Sequence, residues 1–241
     1  MNCPLKMIMS TIAHNLQAVD ASILAAASAA GRPRAAVRLL AVSKTFPAEA
    51  VLEAIAAGQH AFGENYLQEA LDKIAAVSHA LPDQPIEWHF IGPIQSNKTR
   101  PIAASFDWVH TVERLKIAQR LSEQRPVDLP LLNICLQVNI SGEASKSGAA
   151  PEELFELAQH VAELPRLRLR GLMAIPEPET NVDRQRAAFA RLRVLAEGLR
   201  AKGIALDTLS MGMSGDMGAA IAEGATIVRV GSAIFGARKY E

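Results

Sequence analysis

The chain has 241 residues, 49% hydrophobic, 21% charged and 5% aromatic, which is long enough for a substantial core and too apolar for intrinsic disorder. Its 25 Lys and Arg balance 25 Asp and Glu, so no net charge draws it to nucleic acid or an anionic membrane. Cys3 and Cys135 are too few and too scattered for a disulfide framework or a metal knuckle, so a reducing compartment and no metal site are expected.

Near the N-terminus, Ile8, Ile12, Leu16, Val19, Ile23 and Ala26 recur at steps of three and four, which predicts an amphipathic helix ending near Gly31, with Pro33 beyond it. His14, Asn15, Gln17 and Asp20 interrupt this stretch, so it fails the requirement of about 20 predominantly apolar residues for a membrane span. The apolar run after Lys6 is too short for a signal peptide, and a cytoplasmic location is expected. Short apolar runs then read as strands: Val37 to Val42, His60 to Phe62, Trp88 to Ile91, Trp108 to Thr111, Leu131 to Val138, Leu169 to Met173, Thr208 to Ser210 and Thr226 to Val230. Between them lie helical stretches such as Ala48 to Ala57, Glu113 to Gln124, Glu152 to Glu163 and Asp183 to Lys202. Pro47 and Pro151 suit a first helical turn, and Gly58 and Gly203 suit helix stops.

Alternating strands and helices, undivided by a linker, imply parallel strands joined by crossover helices. Eight such units in 241 residues come close to the usual length of a (β/α)8 TIM barrel, about 250 residues. The expectation is one α/β domain over residues 1–241, preceded by the N-terminal helix. A doubly wound sheet is the rival; it would place its ligand at one switch point, whereas the unusual residues here follow many strands.

In a barrel the loops after all strands share one face. Lys44, in Val42-Ser43-Lys44-Thr45, ends the first strand. A partly desolvated amine there has a lowered pKa and can attack an aldehyde; equally, a lysine often just marks the exposed end of a strand. Asn65, in Gly63-Glu64-Asn65-Tyr66, offers an amide to a polar ligand or an N-cap to the next helix. In the run from His89 to Lys98, His89 has no metal spacing and reads as a satisfied structural group, while Gln95, Asn97 and Lys98 border the mouth or cap a helix. Ser210-Met211-Gly212-Met213-Ser214-Gly215-Asp216 and Arg229-Val230-Gly231-Ser232 end the last two strands and open helices. Their small residues expose backbone N–H groups to an anion, at the usual phosphate position of such barrels.

An amine and a phosphate cradle on one rim suit a phosphorylated aldehyde: pyridoxal 5′-phosphate (PLP), or a sugar phosphate held by a Schiff-base aldolase. Arg229, two residues before Gly231, is placed to meet the ring nitrogen of PLP.

The sequence resembles the pyridoxal phosphate homeostasis proteins in their bacterial form, from about Leu39 to Phe235. The likeness rests on Ala41 to Thr45, Gly63 to Tyr66, His89 to Lys98, Gln137 to Ile140, Ser145 to Gly148, Gly171 to Pro176 and the two closing loops. It implies the barrel of the alanine racemase N-terminal domain, with Lys44 holding PLP as an aldimine, Arg229 at the pyridine nitrogen and Asn65 near the ring. Ser210, Ser214, Gly231 and Ser232 would surround the phosphate, and Met211 either packs on the ring or fills core space. The resemblance also implies a carrier in vitamin B6 balance that stores or delivers PLP, with apoenzymes as transient partners, no catalytic residues and no defined turnover. An arginine at the ring nitrogen agrees with that, since a permanent donor disfavours a second proton there and weakens the electron sink. Glu241 lies eleven residues after Val230, so the β-rich racemase domain that supplies a tyrosine base is expected to be missing, and a monomer is expected. Tyr66 and Tyr240 sit in no base-like motif. The alternative is a small PLP-dependent racemase or lyase. Cys135 is expected to be a buried hydrophobe and Cys3 to be incidental; Lys146 and Lys202 lack a phosphate site.

Overall fold

The computed structural model describes residues 10–141 and 147–237. It begins with α1 (Thr11–Ala29), capped by the Ser10 hydroxyl, which accepts from the Ala13 N–H. Strand and helix then alternate: β1 (Arg38–Val42), α2 (Ala48–Ala56), β2 (Ala61–Glu64), α3 (Leu67–Ala80), β3 (Glu87–Phe90), α4 (Thr99–Ser105), β4 (Trp108–Val112) and α5 (Leu115–Gln124). The second half adds β5 (Leu132–Gln137), α6 (Leu154–Ala162), β6 (Leu167–Met173), α7 (Val182–Ala201), β7 (Thr208–Ser210), α8 (Met217–Ala222), β8 (Ile227–Val230) and α9 (Ser232–Phe235). The strands are parallel and close into a barrel in chain order. β8 returns to β1 with Leu40 opposite Arg229 and Ala41 opposite Val230.

Closure divides the core in two, because successive strand side chains face opposite sides. Leu40, Val42, Ala61, Ile91, Trp108, Cys135, Met173 and Ile227 pack together inside the barrel. The larger outer layer, including Leu39, Ala41, Phe62, Leu209, Met211 and Val228, packs under the helices. α1 covers the closing seam against α2, α8 and α9, where Asn15 Nδ2 donates to the Ile234 carbonyl at 2.8 Å.

All eight expected strands are present, with ends displaced by up to two residues, and Cys135 is a buried free thiol. α6 starts at Leu154 after a turn, not at Glu152. α3 carries Lys73 on its buried face, where the pattern of an amphipathic helix calls for an apolar residue. Cys3, Ile8, Ser145, Lys146 and Tyr240, each singled out above, lie outside the described residues.

Candidate functional site

The turn after β1 carries Lys44, half-buried and of the same strand parity as the interior residues Leu40 and Val42. Thr45 adopts φ 67°, a conformation uncommon outside glycine, and its N–H donates to Glu69 Oε1 at 2.6 Å. Outside the barrel wall the turn is tied down by a buried cluster. Lys73 Nζ donates to the Ser43 carbonyl at 2.8 Å, to Glu64 Oε1 at 2.6 Å and to Glu69 Oε1 at 3.0 Å. The Ser43 hydroxyl also donates to Glu64 Oε1, at 2.6 Å. Burial pushes the Glu64 carboxyl up, and the Lys73 charge opposes that shift.

Asn65 leaves β2 beside Lys44's turn. Its backbone presses on Gly92, where a Cβ would stand 2.0 Å from the Asn65 carbonyl oxygen; glycine is required by that approach. The Asn65 Oδ1 is buried without a hydrogen-bond partner, a condition that natural sites correct with a ligand or water. Of the loop after β3, Gln95, Asn97 and Lys98 are exposed.

Arg229 on β8 is 4% exposed. Its two terminal nitrogens donate to Ser210 Oγ at 2.8 Å and to the Ala174 carbonyl at 3.0 Å. Burial lowers its pKa to about 10, so it stays protonated at neutral pH. Beyond it, Gly231 and Ser232 open α9, where the Ile234 and Phe235 N–H groups both return to the Gly231 carbonyl at 2.9 and 3.0 Å. A Cβ on Gly231 would meet the Val42 carbonyl at 3.1 Å, so this loop lies against the end of β1. The rings of Phe46 and Phe235 pack with centroids 5.2 Å apart, joining the Lys44 turn to α9. The β7 loop turns at Gly212 (φ 93°), leaves Ser214 and Gly215 exposed, and is pinned by Met213 N–H donating to Asp216 Oδ1 at 2.5 Å. α8 has six residues and α9 four, so what these loops offer an anion is first-turn N–H groups more than an extended helix dipole.

Two of the expected contact residues lie deeper than the loops. Ser210 is fully buried beneath the mouth, its hydroxyl shared between Arg229 and His110, so it supports the arginine. Met211, one residue on, faces the outer layer under the helices; strand alternation turns it away from the interior, and it fills core space. His89 is buried and doubly bonded, to Glu87 Oε1 at 2.6 Å and to His110 Nε2 at 2.8 Å. His110, Glu87, Lys73 and Phe46 support the site without having been legible in sequence. A residue such as His110 reaches Ser210 across 100 positions, and no local spacing signals that. Lys202 sits 4.2 Å from the Phe155 ring centroid, a cation–π contact away from the mouth.

A cleft of about 810 Å³ lies at the opposite end of the barrel, between α1 and the starts of β1 and β2; it gathers none of these groups. Among the described residues no three His, Cys, Asp or Glu side chains are grouped to hold a metal, and no helix is long and apolar enough to cross a membrane.

Comparison with known proteins agrees with this fold. The family model of the alanine racemase N-terminal domain matches residues 12–239. The pyridoxal phosphate homeostasis protein of Pseudomonas aeruginosa is 67% identical over 232 residues, covering 96% of this chain and 98% of its own length. The chain belongs to the pyridoxal phosphate homeostasis protein family. Another member, from Escherichia coli K12, is 57% identical over 96% of this chain and 99% of its own length. Among solved structures, PipY of Synechococcus elongatus with PLP bound is 38% identical, with a TM-score of 0.81 over 93% of this chain and all of that one.

Proposed function

We propose that this protein binds PLP at the C-terminal mouth of its barrel and serves vitamin B6 homeostasis by holding and releasing the cofactor, without amino-acid turnover of its own. When bound, PLP supplies an aldehyde that condenses with a primary amine, and a phosphate that requires N–H donors. The residues fit the group. Lys44 supplies the amine, Arg229 a permanent donor toward the ring nitrogen, and the loops at Ser214, Gly231 and Ser232 the anion contacts. The unpartnered Asn65 Oδ1 is a polar atom in need of a ligand at the same rim.

The observation that carries this reading is the β1–β8 seam. Leu40 pairs with Arg229, Gly231 lies against Val42, and Phe46 packs on Phe235. One seam therefore gathers the amine turn, the guanidinium and the candidate phosphate loop. In this reading the protein acts in the cytoplasm as a monomer, meeting apoenzymes transiently. Arg229 supports the reading without turnover, since a guanidinium donates to the ring nitrogen without protonating it and weakens the electron sink.

The test is reductive trapping. Protein incubated with PLP and reduced with borohydride is expected to carry the adduct on Lys44 by peptide mass spectrometry, and Lys44→Ala to carry none. An adduct confined to another lysine would overturn the assignment. Amino-acid racemisation by the loaded protein at an ordinary enzymatic rate would replace the carrier by the racemase reading.

A further inference from the structure

A polar file crosses the inside of the barrel. From the mouth inward, Arg229 donates to Ser210 Oγ at 2.8 Å, and Ser210 Oγ lies 2.8 Å from His110 Nδ1. His110 Nε2 is 2.8 Å from His89 Nδ1, and His89 Nε2 is 2.6 Å from Glu87 Oε1. Glu87 opens β3 at the far end of the barrel, where Arg38 meets the same oxygen at 2.6 Å. The two histidines are wholly buried, and Glu87 and Arg38 are partly exposed.

The ends of this file differ in kind. Arginine can only donate and an ionised carboxylate can only accept. There are four links between them, and two neutral imidazoles, one hydroxyl and the guanidinium supply one proton to each link in only one arrangement. Arg229 gives to Ser210, the Ser210 hydroxyl gives to His110 Nδ1, His110 Nε2–H gives to His89 Nδ1, and His89 Nε2–H gives to Glu87.

We propose that Glu87, His89, His110 and Ser210 are positioning residues that form a one-way hydrogen-bond chain through the barrel, fixing the guanidinium of Arg229 toward the cofactor ring. The role assigned to Arg229 rests on the PLP reading above; the chain itself does not. Electrostatics favours this proton arrangement. Burial alone would raise the Glu87 carboxyl, but His89 and Arg38 outweigh it and hold the group below its usual value, as an acceptor. Burial lowers His89 and pushes His110 well down, with His89, Arg229 and Arg38 adding to the effect on His110, so both rings are neutral. A half-satisfied network in this interior would cost more than none, and each of the four links here has its proton.

The test begins with apoprotein, by ¹⁵N NMR of the imidazole nitrogens at pH 7. Both His89 and His110 are expected as single Nε2–H tautomers. Glu87→Gln keeps the shape but can donate as well as accept, so mixed tautomers are expected at both rings. If that variant does not fold, Ser210→Ala cuts the other end and is expected to disturb His110 alone. An Nδ1–H tautomer or an imidazolium in the wild-type protein would overturn the chain, as would a foldable Glu87→Gln that leaves both rings unchanged. With PLP added, the near-visible band of Glu87→Gln is expected to titrate at least about half a pH unit away from wild type, a threefold change in proton affinity. No band in wild-type protein would sink the PLP reading and leave the tautomer result standing. A normal band with an unmoved midpoint would show that the chain does not reach the cofactor.

Discussion

Lys73 and Arg229 are both buried cations, each 4% exposed, yet their surroundings have opposite consequences. Lys73 faces the Glu64 carboxylate at 2.6 Å, so removing it strands a buried charge. Lys73→Met is expected to cost about 3–5 kcal/mol in urea unfolding, and Lys73→Met/Glu64→Gln to recover most of it. Equal losses for the single and double variants would show that the pair does not act as a pair. The direct acceptors of Arg229 are neutral, a hydroxyl and a carbonyl, and burial already depresses its pKa to about 10. Replacing it leaves the Ala174 carbonyl short of a donor, costing about 1–3 kcal/mol, but removes a desolvated guanidinium, which offsets much of that. Arg229→Met is therefore expected to unfold within about 1.5 kcal/mol of wild type while losing PLP affinity in equilibrium dialysis. A loss as large as that of Lys73→Met would make the arginine a stability residue first. Residues with this pattern, costly to the fold and useful at the mouth, are where local sequence rules give way.

Each site element is short, so its placement comes from its neighbours. α9, with four residues, is held by Asn15 from α1 and by the Phe46–Phe235 contact. Phe46→Ala removes an aromatic pair worth about 0.5–1.5 kcal/mol beyond its burial. It is expected to weaken PLP binding roughly 3- to 10-fold and to lower the unfolding midpoint modestly; unchanged affinity would separate the Lys44 turn from α9. The strands were legible because their apolar runs are local. Lys44, Asn65, Arg229 and the closing glycines were legible as strand-end residues, since a barrel brings all strand ends to one face. The proper depth of Ser210 and Met211 was not, because it depends on the parity of a three-residue strand, where a one-residue difference reverses inside and outside. The Lys73 cluster was hidden because a lysine at a helix's buried position looks, in sequence, like one on a solvated face.

The barrel as a whole carries its polar file at a cost that depends on acidity. In the unfolded chain His89 and His110 take protons near 6.5, whereas in the native barrel both are held neutral to lower pH by burial, His110 well below. As pH falls through that window the unfolded state binds more protons than the native one, so stability falls with acidification and is fully retained above the unfolded value. The slope approaches about 1.4 kcal/mol per pH unit for each histidine. Glu64 and Asp107, both raised by burial, work the other way, because the native state then holds a proton that the unfolded state releases. They offset part of the histidine loss without abolishing it at the onset near pH 6.5, where the imidazoles of the unfolded chain begin to charge. Urea midpoints measured from pH 7.5 to 5.5 are expected to fall, and the native His110 ring resonances to stay untitrated over the same range. A midpoint that holds or rises on acidification would mean that the barrel interior tolerates an imidazolium, and that the two rings do not need the arrangement of protons derived from their partners.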